Sequence, residues 1–281
     1  MDVQAEGEAS GDPQGADDAR DGDRYLVRSV ARALLIVDLV AVGPPDGLSI
    51  SDIARSLGVS KSTAFATART LVGHGFLRDS EPGPRYQLGM AFMWLGDLVS
   101  QQFQLGEVCR PVLRELTEAT GMTSRVALSD GGYPVFIERV DGPGAVRFHT
   151  PLGRREAPHA SAAGKAILGT LDEAHVRAIC DEAGLPRRTS HTITTVDSLL
   201  EDLAIVRRRG FALDDEEDAE GVFCVGAPIF DGNRRCVGAL SITGIRRDMP
   251  AWRIDELGGV VRGHADRVSG LIGGRRAKGG A

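Results

Sequence analysis

Three groups of residues in this 281-residue sequence have types and spacing that could do chemistry. The first is His159, Ser161 and Lys165 in "HASAAGKA". An imidazole two residues from a hydroxyl suggests nucleophilic catalysis, but no G-x-S-x-G elbow surrounds Ser161. A phosphate-binding loop would need glycine where His159 stands and Ser or Thr where Ala166 stands, so nucleotide binding is disfavoured too. What the stretch does offer is a tight turn entering a helix near Ala162, whose opening amides attract anions. The second group is "DDEED" at 214–218. Consecutive acids, without histidines at ligand spacing, favour a solvated loop over a metal site. Asp214 alone, following the strand-like "GFAL", is placed to point inward. The third group is Ser241 and Thr243, which alternate with Leu240 and Ile242 and therefore share one face of a strand. The alternation leaves open whether that face is core or cavity.

A fourth set suits a polyanion. Ser60, Lys61, Ser62 and Thr63 stand at the start of a helical segment in which Ala64, Ala68, Leu71 and Val72 form an inward stripe and Lys61, Ser62, Ala66, Thr67 and Thr70 lie outward. Ser60 is its expected N-cap. The preceding "SISDIARSLG" has Ser49 as N-cap with Asp52 three residues on, Ile53 and Leu57 inward and Gly58 as terminator. Upstream, "SVARALLIVDLVAV" predicts another helix capped by Ser29, with Val30, Leu34, Val37 and Ala41 on the buried face. Downstream, "FLRD" and "RYQL" flank the breaker-rich "SEPGP" and predict a β-hairpin that presents Arg78 and Arg85. Three short helices and a hairpin make a winged helix-turn-helix, whose second motif helix enters the major groove of double-stranded DNA. The competing use of such a module is protein contact alone. Arg69 and His74 are expected to serve the helix end and its packing.

Charge is uneven. The formal net charge is −6, yet residues 1–23 hold eight acids against Arg20, while residues 24–89 hold eight Lys or Arg against five acids. Only the second block suits nucleic acid. The first, without aromatic residues, reads as a disordered acidic tail. The four cysteines, Cys109, Cys180, Cys224 and Cys236, show neither zinc spacing nor a disulfide framework, and reduced thiols are expected. No apolar run approaches the roughly 18 residues of a membrane span, and no signal-peptide pattern opens the chain, so a cytoplasmic location without membrane partners is expected. No motif calls for a cofactor.

The remaining segments fill in the architecture. Residues 90–105 predict a connector helix whose Met90, Met93, Trp94 and Leu98 are too apolar to be left in water, pointing to a partner chain. Leu105, Val108, Cys109, Val112, Leu113 and Leu116 repeat at helical spacing, with Pro111 expected to bend or delay the helix. Strand-like runs follow at "SRVALS", "YPVFIERV" and "VRFHT". Helices are expected near 162–169, 172–183 and 196–209, then strands "VFCVGAPIF" and "RCVGALSIT" around "DGNR", and a last helix to Ile272. Strands mixed with helices, without strict βαβ alternation, give an α+β class.

Taken in order, "VRSVARALLIVDLV", "LSISDIARSLGVSKST", "YQLG", "HASAAGKAIL", "TITTVDSLLEDLAIVRRRGFALDDEE", "GVFCVGAPIF" and "GALSITG" resemble the IclR family of bacterial transcriptional regulators. The resemblance runs from Val27 to the final helix and rests on the combination of segments. It implies a winged DNA-binding domain at 24–89, a dimerisation connector at 90–105, and a GAF/PAS-like effector domain with a curved antiparallel sheet at 106–281. It further implies a dimer or dimer of dimers on operator DNA, modulated by a small organic acid. Carried over residue by residue, the ligand would meet Ala162, Ala163 and Gly164 through their amides, together with Asp214, Cys224, Ser241 and Thr243. The recognition helix has Ala66 where relatives often carry Arg, and Thr243 adds a methyl where Ser is commoner. The expected function is therefore a ligand-responsive regulator and not an enzyme. The alternative is a small-molecule-binding or hydrolytic enzyme with a winged domain used for oligomerisation.

Overall fold

The structure, a computed structural model, describes residues 27–80, 83–102, 105–148 and 151–276. The acidic segment 1–23 lies outside them. The chain divides into two compact units, with the boundary in sequence between Val99 and Ser100.

In the first unit, α1 (Arg28–Ala41), α2 (Ile50–Leu57) and α3 (Lys61–Gly73) pack with a three-stranded antiparallel sheet of β1 (Leu48–Ser49), β2 (Leu77–Ser80) and β3 (Arg85–Leu88), in the order β1-β3-β2. The caps form as expected. The Ser49 hydroxyl accepts from the Asp52 amide, that of Ser60 accepts from the Thr63 amide, and Gly58 ends α2 in the left-handed conformation at φ 63°. Ile36, Val40, Ile53, Ala64, Ala68, Leu77 and Tyr86 make the core.

The expectation for α1 was wrong in two respects. Val27, not Ser29, is its N-cap, and Ile36 and Val40 are buried while Val30 and Leu34 are exposed. The sequence of α1 is apolar nearly all round, so periodicity alone picks no face, and packing against α2, α3 and β3 decides. A connector helix, α4 (Ala91–Gln102), follows the hairpin, and Met90, Met93, Trp94 and Leu98 are all exposed.

The second unit is a five-stranded antiparallel sheet, β4 (Thr123–Asp130), β5 (Tyr133–Val140), β6 (Ala212–Asp215), β7 (Val222–Phe230) and β8 (Cys236–Ile245), ordered β5-β4-β8-β7-β6. Register shifts at Val126/Ala127 and Ile229/Phe230 mark bulges, which bend and twist a sheet locally. Strand alternation sorts the two faces. Val126, Phe223, Val225, Ala227, Leu240 and Ile242 pack with α5 (Leu105–Thr120) and α9 (Ala251–Arg276). Ala127, Phe136, Ala212 and Ala239 pack with α6 (Ala162–Leu168), α7 (Glu173–Ala183) and α8 (Val196–Arg209).

Pro111 sits inside α5 without ending it, and α9 continues past Ile272. The expected strand "VRFHT" does not form over its described residues 146–148. In that stretch the Phe148 carbonyl accepts from Arg139 and Arg147 reaches back to the carbonyls of Gly142 and Gly144, so side chains take the place of a ladder.

Candidate functional site

On the α6 face of the sheet a cavity of 410 Å³ opens, walled by Arg125, Phe136, Arg147, Phe148, Pro151, Glu156, Ser161, Ala162, Ala163, Arg188, Asp214, Asp218, Ala219, Val222, Cys224 and Thr243. Its position follows from register. β7 and β8 pair Cys224 with Thr243 and Gly226 with Ser241, and β4 sets Arg125 opposite Ser241. These residues share the α6 face because Val126, Val225, Leu240 and Ile242 take the other one. Gly226 lets the start of α6 lie against β7, since a Cβ there would stand 2.6 Å from the Ala162 carbonyl oxygen.

Ser161 caps α6 by accepting from the Gly164 amide at 3.1 Å. The Gly164 amide is therefore committed within the chain, and what this glycine supplies is room against the Pro158 backbone. Ala162 and Ala163 open the helix, where amides have no intrahelical acceptor, and both line the cavity. Ser161 also donates to the Ala157 carbonyl at 3.1 Å, while His159 Nε2 faces the Pro186 carbonyl at 3.2 Å. The two thus do not form a nucleophile and base.

Arg125, which the sequence reading missed, dominates the polar wall. Its side chain is buried, its guanidinium lies 4.6 Å from the Phe136 ring centroid, and its Nη2 donates to Thr243 Oγ1 and sits 3.6 Å from Cys224 Sγ. A basic residue in the middle of the apolar run "SRVAL", on the same alternation as Ser241, was the available signal. Cys224 Sγ lies 3.3 Å from Thr243 Oγ1, and burial pushes its thiol up to about 12, so it acts as a neutral group. The Ser241 hydroxyl is buried without a hydrogen-bond partner among the described residues.

The acid run is not the solvated loop expected. Asp214 Oδ1 accepts from the amides of Glu217 and Asp218 at 2.8 and 3.2 Å. Asp215 pairs with Arg246, and Asp218 with Arg188 at 2.6 Å. Glu217 Oε1 is 2.6 Å from Lys165 Nζ, itself 1% exposed and 3.1 Å from Asp202 Oδ2. Hydroxyls of Thr189 and Thr192 hold the Glu216 and Glu217 carbonyls. The Glu216 carboxylate accepts from the Gly221 amide at 2.7 Å, so each acid has a partner that spacing along the chain could not reveal. Burial raises the Asp214 carboxyl to about 6 and that of Glu217 to about 7, the latter against the opposing pull of Lys165. Among the described residues no cluster of His, Cys, Asp or Glu could hold a metal ion, and no helix is long and apolar enough to cross a membrane.

In the first unit, Lys61, Ser62 and Arg78 are exposed as expected. The hydroxyls of Ser60, Ser62 and Thr63 bond to one another around the α3 cap, at 2.9 Å for Ser60–Ser62 and 2.8 Å for Ser60–Thr63. Thr67 does not face outward. It is half-buried, its hydroxyl donating to the Thr63 carbonyl. Arg85 turns back onto the α1–β1 loop, donating to the Asp46 and Gly47 carbonyls and pairing with the Asp46 carboxylate at 3.1 Å. Arg69 pairs with Asp79 of the wing at 3.0 Å. The sequence reading overlooked Phe65, which is 49% exposed on α3.

Known proteins match this arrangement. The family model for the bacterial transcriptional regulator IclR C-terminal domain matches residues 98–270, and that for the IclR helix-turn-helix domain matches residues 29–81. The HTH-type transcriptional regulator XynR of Escherichia coli (strain K12) is 34% identical over 218 residues, 78% of this chain and 86% of its own. The crystal structure of Thermotoga maritima IclR has a TM-score of 0.73 at 29% identity, covering 88% of this chain and 100% of that one. An IclR homologue from Microbacterium hydrocarbonoxydans, crystallised with 4-hydroxybenzoate, shares the fold with a TM-score of 0.74 at 21% identity, covering 89% and 99%. With a helix-turn-helix model on the first unit and the C-terminal model on more than half the chain, this protein belongs to the IclR family: it is a DNA-binding transcriptional regulator with a C-terminal effector domain.

Proposed function

We propose that the cavity of the second unit takes a small hydroxy, oxo or phenolic acid, and that its occupancy modulates the grip of a homo-oligomer on operator DNA. The observation that carries the reading is the buried Arg125 guanidinium in the wall of a cavity that Ala162 and Ala163, the first residues of α6, also line. A guanidinium presents a planar fork of donors matched to a carboxylate, and helix-start amides add to it. Thr243 and Cys224 hold the guanidinium in place, and Ser241, on the same strand face, offers a hydroxyl still open to an acceptor. Asp214 is an acceptor for a ligand hydroxyl, and its charge disfavours a second carboxylate. The volume falls at the small end of the roughly 300–1,000 Å³ of ligand pockets, enough for a single ring. The ligand of the Microbacterium relative carries this pairing of carboxylate and hydroxyl.

In the same reading, residues 24–89 contact DNA through α3 and the wing, α4 pairs two chains as a dimer or dimer of dimers, and residues 106–281 sense the acid. A ligand favouring one arrangement by roughly 1–3 kcal/mol shifts operator affinity about 5- to 150-fold. Calorimetry of the full-length protein with 4-hydroxybenzoate, lactate and pyruvate tests the assignment. Arg125→Gln should weaken the binding of whichever acid modulates operator affinity by tenfold or more, and Ser241→Ala should cost about 1–3 kcal/mol of it if a charged acceptor is stranded. Both variants should hold operator DNA normally without ligand. Undiminished acid binding by Arg125→Gln would remove the cavity from the mechanism.

A further inference from the structure

The outward face of α3, the second helix of the DNA-binding motif, carries Ser62, Phe65, Ala66 and Arg69, spaced three, four and seven residues from the first. Most of the hydrogen-bonding groups of α3 are already engaged by the chain. Arg69 pairs with Asp79 on β2, Ser62 belongs to the cap cluster around Ser60, and the hydroxyls of Thr67 and Thr70 donate to the carbonyls of Thr63 and Ala66, each at 3.0 Å. The ring of Phe65 is instead half exposed in the N-terminal half of the helix, the part that meets base edges when such a helix enters the major groove. The small side chains of Ser62 and Ala66 beside it let the helix backbone come close to the bases. In that groove the thymine 5-methyl group is the apolar feature of a base edge, and a phenyl ring is among the side chains that recognise it.

We propose that Phe65 is a specificity-determining residue, reading thymine methyl groups in the major groove of the operator. The recognition helix would then choose sequence by apolar contact as much as by hydrogen bonds. Thymine should recur at one or two fixed positions in each half-site, and those positions should tolerate cytosine poorly.

The test uses the full-length protein and duplexes it selects from a random-sequence library. In the selected duplex each thymine is replaced singly by uracil, which deletes the methyl and leaves base pairing unchanged. Fluorescence anisotropy should show wild-type affinity falling about three- to fivefold at one or two positions per half-site, the effect of one buried methyl. Phe65→Ala should bind the thymine and uracil duplexes alike, and Phe65→Leu, which keeps an apolar side chain, should retain a reduced preference. The buried Ala64 and Ala68 are untouched by either change, so the fold should persist, as circular dichroism will show. The proposal is overturned if no uracil replacement weakens the wild type, if selection yields no recurrent thymine, or if Phe65→Ala or Phe65→Leu keeps the full thymine preference.

Discussion

The buried Asp214 carboxyl would give the proposed effector cavity a pH response. Asp214 is raised to about 6 by burial, against the amides of Glu217 and Asp218 that hold it down. Below about pH 6 it is mostly neutral, and above that it places a negative charge in the wall that an anionic ligand must approach. Acid binding should therefore strengthen as pH falls from 8 to 5.5, by about tenfold if the repulsion is worth roughly 1.4 kcal/mol. Asp214→Asn keeps an oxygen for the two amides and removes the Asp214 titration, so the pH dependence of its affinity should be weaker than that of the wild type, with the raised Glu156 and Glu217 carboxyls accounting for what remains. Calorimetry at fixed ionic strength decides the point, and equal slopes for wild type and variant would place the ligand away from Asp214. The sequence singled out Asp214, Ser241 and Thr243 because alternation fixes which side chains share a strand face. It passed over Arg125 because nothing in the primary structure shows that β4 lies beside β8, where residue 125 stands opposite residue 241.

At the scale of elements, the wing does something the hairpin prediction did not contain. Strand β3 pairs with the two-residue β1, and Arg85 clamps the α1–β1 loop through the carbonyls of Asp46 and Gly47. Lys61, by contrast, is exposed at the start of α3. If Lys61 neutralises one phosphate, Lys61→Ala should reduce the slope of log affinity against log salt by about 0.9. Arg85→Ala should leave that slope unchanged and lower the thermal stability of the first unit, because its contribution is to hold a loop. A slope falling equally in both variants would mean that Arg85 leaves Asp46 when DNA arrives. An engaged charge also shapes the second unit, where Lys165 of α6 ties the 214–218 loop to Asp202 of α8. That tie fixes the helix start and Asp214 as two walls of one cavity.

For the whole molecule, the apolar residues of the connector set the expectation. Met90, Met93 and Trp94 are each more than 60% exposed, and Leu98 is 38% exposed. A cluster of this kind marks an interaction surface. In a paired assembly Trp94→Asp would bury an unpaired charge, so sedimentation should show the variant dissociating at concentrations where the wild type is assembled. Operator affinity should fall with it, because two half-sites are then no longer held by one particle. An intact assembly in the variant would shift the pairing surface elsewhere, and the exposed Val30 and Leu34 of α1 would be the next residues to change.

Local information in the sequence determined most of the elements. Capping hydroxyls at Ser49 and Ser60, the terminator Gly58, the breakers of "SEPGP" and the two-residue alternation of "GALSITG" act over a few positions, and they placed the motif helices and the two strands of the hairpin and put Ser241 and Thr243 on one face of β8. Tertiary structure decided whatever depends on partners distant in the chain. It chose Ile36 and Val40 over Val30 and Leu34, because a helix with apolar residues on most of its circumference takes its buried face from its neighbours. It turned an acid run into a set of buried and paired carboxylates, because Lys165, Arg188 and Arg246 arrive from other elements. It also brought Arg125 beneath α6, 118 residues before Thr243, where a cross-strand register that no local pattern encodes puts the guanidinium of a strand residue into the cavity wall.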